Sequence, residues 1–324
     1  MFGINTDKYD WQATESAPRN YPMQVVSGTL FYHGETNGLY VPNGSSIDHG
    51  WGTGGSSHVV GPDLKPLPDR LEITFFSYTE NQFYIGKFDL PYDKIRAMFK
   101  AGYHNYDEDK HITYNATVVG VAPGGAVSVW LSGWGHTTEV FFGQAEKTDV
   151  DWRQIIDATH ITREEFVQKV IKSSLKAPGA LEAFRKNGVP FGLWSRYRAQ
   201  YAWKPLFTGL QTESGRIDEI KYYNGEQDFF DYPLSATVAA STRPIPNYLR
   251  FTRARPPAKG LSVRLHFNEA EIIDAFKKLG ANNQPLQLEM RIDVVEGKEV
   301  FTVWLRNDKD KIELKRLEIK TYNT

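Results

Sequence analysis

The 324-residue chain contains no cysteine. That excludes disulfides, thiolate nucleophiles and every cysteine-containing metal site. Apolar runs are short, and none approaches the roughly 20 residues that a membrane-spanning helix needs. Neither sign of charge is in surplus: 38 Lys and Arg stand against 39 Asp and Glu. Without a net field, the composition favours neither nucleic acid nor an anionic membrane as partner. The first residues, MFGINTDKYDWQATESAPRNYP, carry no basic region, apolar core or lipidation cysteine, which is the pattern of a soluble chain with no transmembrane segment.

What is present is aromatic: Phe, Trp and Tyr make up 14% of the chain, a composition that favours β-structure. Alternation predicts strands in YPMQVVSGTLFYHG, RLEITFFSYT, NQFYIGKFDL, ITYNATVVGVA, AVSVWLSG and TEVFFGQAEK, with PGG as a tight hairpin. PYDKIRAMFKAG reads as a helix with proline at its start and glycine at its end. ITREEFVQKVIKSSLKA carries a capping box, Thr162 with Glu165, and ALEAFRKNG stops at Gly188. PFGLWSRYRAQYAWKPLF, with Trp194, Tyr197, Tyr201 and Trp203, reads as an aromatic helix docked between larger bodies.

The last hundred residues retrace the first unit. PLPDRLEIT (Pro66 to Thr74) aligns with PIPNYLRFT (Pro244 to Thr252), Gly102 with Gly280, SVWLSG with TVWLRN, and NYPMQVV with DYPLSAT. The expectation is therefore an α+β fold of two similar domains, each an antiparallel sheet with a packed helix, joined by a helical middle segment. The boundaries are 1–150 for the first copy, 151–215 for a helical and aromatic bridge, and 216–324 for the second copy.

The first copy holds a long extra connection that contains DHGWGTGGSSHVVGP, with five glycines in fifteen residues. Neither GxGxxG nor GxxxxGK[ST] is spelled out, and the following SSHVVGPDLKPLP is too rich in proline to open a phosphate-binding helix. GxSxG is missing, although Asp48, His58 and Ser56 or Ser57 could be arranged as a triad. The eight histidines show no HExxH or comparable ligand spacing. His49, His58 and His136 are the ones that distant loops could bring together. No cofactor, metal site or catalytic residue is assigned.

A second glycine-flanked indole occurs in LSGWGHTTE. Flexible glycines around Trp51 and Trp134 present large apolar faces, the composition of an interface anchor, unless each indole folds back onto its own sheet. The expected partner-binding residues are Trp51, Gly52, Gly54, Gly55, His58, Trp134 and His136.

SAPRNYPMQVVSG, GWGTGGSSHVVGPDLKPLPDRLEITFFSYTENQFYIGKFDLPYDKIRAMF, VVGVAPGGAVSVWLSG and VPFGLWSRYRAQYAW together resemble the bacterial domain of unknown function 2931 family, most closely over residues 8–225. The resemblance implies an envelope protein of lipoprotein type, although the lipidation cysteine is missing. It further implies an immunity role, because such proteins are often encoded beside phospholipase effectors of the type VI secretion system. The expected function is thus a non-enzymatic immunity protein that binds and neutralises a secreted lipase effector. Its expected compartment is the periplasm if a signal segment was trimmed, and otherwise the cytoplasm. The alternatives are a metal- or serine-dependent hydrolase of the envelope and an envelope glycan-binding module.

Overall fold

The computed structural model describes residues 7–56, 58, 60–156, 160–209, 215–236, 238–255 and 258–323. The chain divides into two compact units, Met1–Arg196 and Tyr197–Thr324. In the first, the strands are β1 (Lys8–Asp10), β2 (Gln12–Ser16), β3 (Met23–Tyr32), β4 (Gly38–Tyr40), β5 (Leu64–Pro66), β6 (Pro68–Ser77), β7 (Gln82–Asp89), β8 (Tyr103–Asn105), β9 (Lys110–Ile112), β10 (Ala116–Ala122), β11 (Ala126–Gly133), β12 (His136–Gln144) and β13 (Glu146–Thr148). Its helices are α1 (Tyr92–Ala101), α2 (Arg163–Ser174), α3 (Ala180–Asn187) and the single turn α4 (Leu193–Arg196). The second unit has β14 (Gln200–Gly209), β15 (Gly215–Tyr222), β16 (Gln227–Pro233), β17 (Ser241–Pro244), β18 (Pro246–Arg255), β19 (Ala258–His266), α5 (Glu269–Gly280), β20 (Leu286–Val295), β21 (Lys298–Arg306), β22 (Lys311–Glu313) and β23 (Glu318–Asn323).

Among the described residues strands account for 49% and helices for 17%, which overturns the α+β expectation. The first unit has two main sheets, β13-β7-β6-β3-β4 and β2-β10-β11-β12. The inward residues of both, among them Leu71, Ile73 and Phe75 from β6 and Val119, Val129 and Leu131 from β10 and β11, form one apolar cluster. Sheet against sheet thus supplies most of the core, and α1 adds Ile95 and Phe99 to it, with Tyr92 and Met98 packed against the cluster. This helix stops where Gly102 takes φ 56°, in the left-handed region that glycine enters without steric cost.

The helical linker also fails. The capping box of α2 forms as expected, with Thr162 Oγ1 accepting from Glu165 N at 3.2 Å and Glu165 Oε2 accepting from Thr162 N at 3.0 Å. But α2 packs Val167, Ile171 and Leu175 onto Phe76, Tyr78 and Phe83 of the first unit. Arg163 fixes its start, donating to the Asn81 side chain and carbonyl at 2.6 and 2.7 Å. The aromatic run after Trp194 is a strand, because Trp203, Pro205 and Phe207 face the core at a spacing of two and Pro205 cannot donate within a helix.

Strand order is the same in both units. β23-β19-β18-β15-β16 corresponds to β13-β7-β6-β3-β4, and β14-β20-β21-β22 to β2-β10-β11-β12. β2 is parallel to β10, as β14 is to β20. A fully buried tryptophan marks the same place in each, with Trp11 Nε1 donating to Pro66 O at 3.1 Å and Trp203 Nε1 to Pro244 O at 3.0 Å. In this correspondence β3 matches β15, so pairing NYPMQVV with DYPLSAT, which starts at the end of β16, is out of place.

Candidate functional site

The glycine-rich segment lies along β2, an edge strand of its sheet, and hydrogen-bonds to it. Gly50 N donates to Ala17 O at 2.9 Å and Gly55 N to Glu15 O at 2.8 Å, while Ser16 Oγ donates to Gly50 O at 2.8 Å. An edge strand offers unpaired amide and carbonyl groups, and this segment donates to two of the carbonyls, those of Glu15 and Ala17. The approach is close enough to require glycine. A Cβ on Gly54 would stand 2.9 Å from Thr14 Cγ2, and one on Gly55 2.7 Å from His49 Nδ1 and 2.9 Å from Glu15 Oε1. Gly52 adopts φ 77°.

Trp51 turns inward from this segment. Its ring meets Trp130 edge-on, with centroids 4.8 Å apart at 87°, and lies 6.4 Å from Trp194 of α4. Trp194 in turn meets Tyr21 at 5.7 Å. On β11, Val127, Val129 and Leu131 face the core, whereas Trp130 faces the opposite side and is nonetheless fully buried. Trp51 of the glycine-rich segment packs on it, and Trp194 of α4 packs on Trp51 in turn. The matching Trp304 of β21 lies in a unit with a much shorter connection between β16 and β17, and it is only half-buried, with Lys311 Nζ 5.5 Å from its ring.

The remaining expected residues are dispersed. His58 is exposed, its Nδ1 2.6 Å from Tyr40 Oη, and it is bound to neither Asp48 nor Ser56 by any hydrogen bond among the described residues. Ser56 instead donates its backbone N–H to Glu15 Oε1 at 2.9 Å. Ser57 lies outside the described residues. Among the described residues no group of three or more His, Asp or Glu could hold a metal ion, and no helix is long and apolar enough to cross a membrane.

Trp134 is 39% exposed at the tip of the β11-β12 hairpin, where Gly135 takes φ 69°. Trp130 lies four residues earlier, roughly 13 Å back at the rise of a strand, so Trp51 and Trp134 belong to separate parts of the unit. Beside Trp134, His136 meets Tyr103 at 4.4 Å, and Tyr103 meets Tyr114 at 5.2 Å. On the same β8-β9 hairpin, His104 stacks edge-on with Tyr106 at 4.6 Å, and Tyr106 is 40% exposed. Burial, with a smaller contribution from Tyr114, pushes the Tyr103 hydroxyl up to about 12, while the Trp134 backbone N–H acts in the opposite direction. Tyr103 and Tyr106 lie outside the expected partner-binding residues, because neither belongs to a glycine-flanked indole; the contact of Tyr103 with His136 sets the β8-β9 hairpin beside the β11-β12 hairpin.

Fold and surface together define a mostly β protein of two internally similar units, with Trp134 and Tyr106 exposed on hairpins of the first. The chain belongs to the family described as Protein of unknown function (DUF2931), whose pattern matches residues 4–192. No curated protein and no solved structure matches it.

Proposed function

We propose that this protein is a non-enzymatic immunity protein of the bacterial envelope that neutralises an antibacterial phospholipase or lipase effector of the type VI secretion system. The observation that carries the binding role is the exposed Trp134 at the tip of the β11-β12 hairpin, with Tyr106 exposed on the β8-β9 hairpin. Tryptophan and tyrosine offer large apolar area at little side-chain entropy cost and dominate protein interfaces energetically. A tip held by two hairpins is already ordered, so association need not bear the cost of ordering a loop. The lipase as partner rests on the family resemblance, and the periplasm is the compartment where such an effector would meet its inhibitor.

The test uses the purified chain and the purified lipase encoded beside it. The expected result is a one-to-one complex in which phospholipid hydrolysis falls in proportion to added protein. Undiminished hydrolysis, with no heat of binding, would contradict the proposal.

A further inference from the structure

We propose that the outer face of the second unit's β15-β18-β19-β23 sheet binds a small soluble molecule carrying a phosphate monoester, with Arg264 as its principal ligand and Lys320 and Arg250 beside it. Register places these residues in one cross-strand row: Glu219 opposite Arg250, Arg250 opposite Arg264, and Arg264 opposite Lys320. Directly opposed side chains have Cβ atoms roughly 5 Å apart, so the three cations lie within about 10 Å. Like charges placed directly opposite destabilise a sheet, and such a row therefore calls for a reason other than folding.

The first unit shows the alternative. Its corresponding pair is Glu72 opposite Lys87, of opposite charge, with Lys87 Nζ 3.4 Å from Glu72 Oε2. The second unit has replaced that pair with two arginines. Their immediate partners are unequal. Arg250 Nε lies 3.6 Å from Asp218 and 3.8 Å from Glu219, and Lys320 Nζ lies 3.0 Å from Glu318. Arg264 has no carboxylate within ion-pair distance among the described residues. Its guanidinium lies 4.5 Å from the Tyr322 ring centroid, and its Nε is buried without an acceptor.

The rows on either side supply hydroxyl and imidazole groups. Tyr248 stands opposite His266, and Thr252 opposite Ser262, which stands opposite Tyr322. A planar guanidinium held on a ring, with further cations one strand away on both sides, suits a compact dianion with several acceptor oxygens. Asp218, Glu219 and Glu318 interrupt the positive charge, which would repel an extended anionic surface such as a membrane. A single phosphate centred on Arg264 avoids them.

The experiment is calorimetric titration of the full chain with inorganic phosphate and with glycerol phosphate, alongside R264E, Lys320→Ala and, as a control on α5, Lys278→Ala. R264E restores opposite charges to the row, so it should be at least as heat-stable as the parent while phosphate binding is lost. Lys320→Ala should weaken binding about tenfold, Lys278→Ala should leave it unchanged, and acetate should bind at least tenfold more weakly than phosphate. The proposal is overturned if neither phosphate titrates, if acetate binds as well, or if R264E and Lys278→Ala behave alike. A response to anionic phospholipid vesicles without one to soluble phosphate would also overturn it. Should R264E fail to fold, Lys320→Ala still decides, because that side chain is exposed.

Discussion

The ring of Trp51 stands edge-on to that of Trp130, 4.8 Å between centroids, and closes the side of β11 that faces away from the core. Its own N–H is buried without an acceptor among the described residues, so its contribution is packing. Trp51→Ala should destabilise the first unit by about 3 kcal/mol through the lost contacts and the cavity left behind. Trp51→Phe should cost much less, since no hydrogen bond is forfeited. Urea denaturation of the three proteins checks this, and a shift in midpoint at constant slope is the expected signature.

Trp11 and Trp203 make the same hydrogen bond to the first proline of a Pro-x-Pro in their respective units. Replacing either with phenylalanine keeps most of the ring but leaves a buried carbonyl without that donor, at a cost of about 1–3 kcal/mol. Similar losses from Trp11→Phe and Trp203→Phe are expected in chemical denaturation. A large effect at one site and none at the other would separate the two copies energetically.

Arg253 is fully buried in the second unit, with Nη1 3.1 Å from Glu299 Oε1. Removing one partner strands a charge, so Arg253→Ala should cost roughly 3–5 kcal/mol. The double replacement of Arg253 by Met and Glu299 by Leu should recover most of that loss, because no charge then remains to be desolvated. A double-mutant cycle in urea measures both outcomes.

Alkaline pH tests the surroundings of Tyr103. Its folded-state pKa, pushed up to about 12 mainly by burial, exceeds the ordinary value near 10 of the unfolded chain. The neutral phenol is thus favoured by folding. The corresponding stability is complete below pH 10 and is lost as pH rises toward 12. Tyr103→Phe should flatten part of that decline when urea midpoints are compared across this range.

The strands, the capped helix α2 and the duplication were legible because each is written locally, in alternation, in Thr162 with Glu165, or in a repeated Pro-x-Pro. Two errors had physical causes. The run from Tyr201 to Phe207 has aromatics that fit helical and strand spacing alike, and only Pro205 decides between them. The glycines of the Asp48 to Pro62 segment suggested a flexible presenting loop, because a sequence does not show that β2 runs beside them. Close approach to Thr14 and Glu15 explains Gly54 and Gly55 without reference to any ligand. At Trp134, by contrast, hairpin pairing leaves an aromatic exposed as its flanking glycines suggested.

The most direct test of the immunity reading compares the affinity of the parent protein, Trp134→Ala and Trp51→Phe for the lipase effector that this reading expects to be encoded beside the gene. Trp134→Ala should weaken binding at least tenfold, about 1.4 kcal/mol, without lowering the urea midpoint. Trp51→Phe should leave affinity unchanged. Parent-like affinity in Trp134→Ala, or no binding of the lipase by the parent protein, would contradict the account.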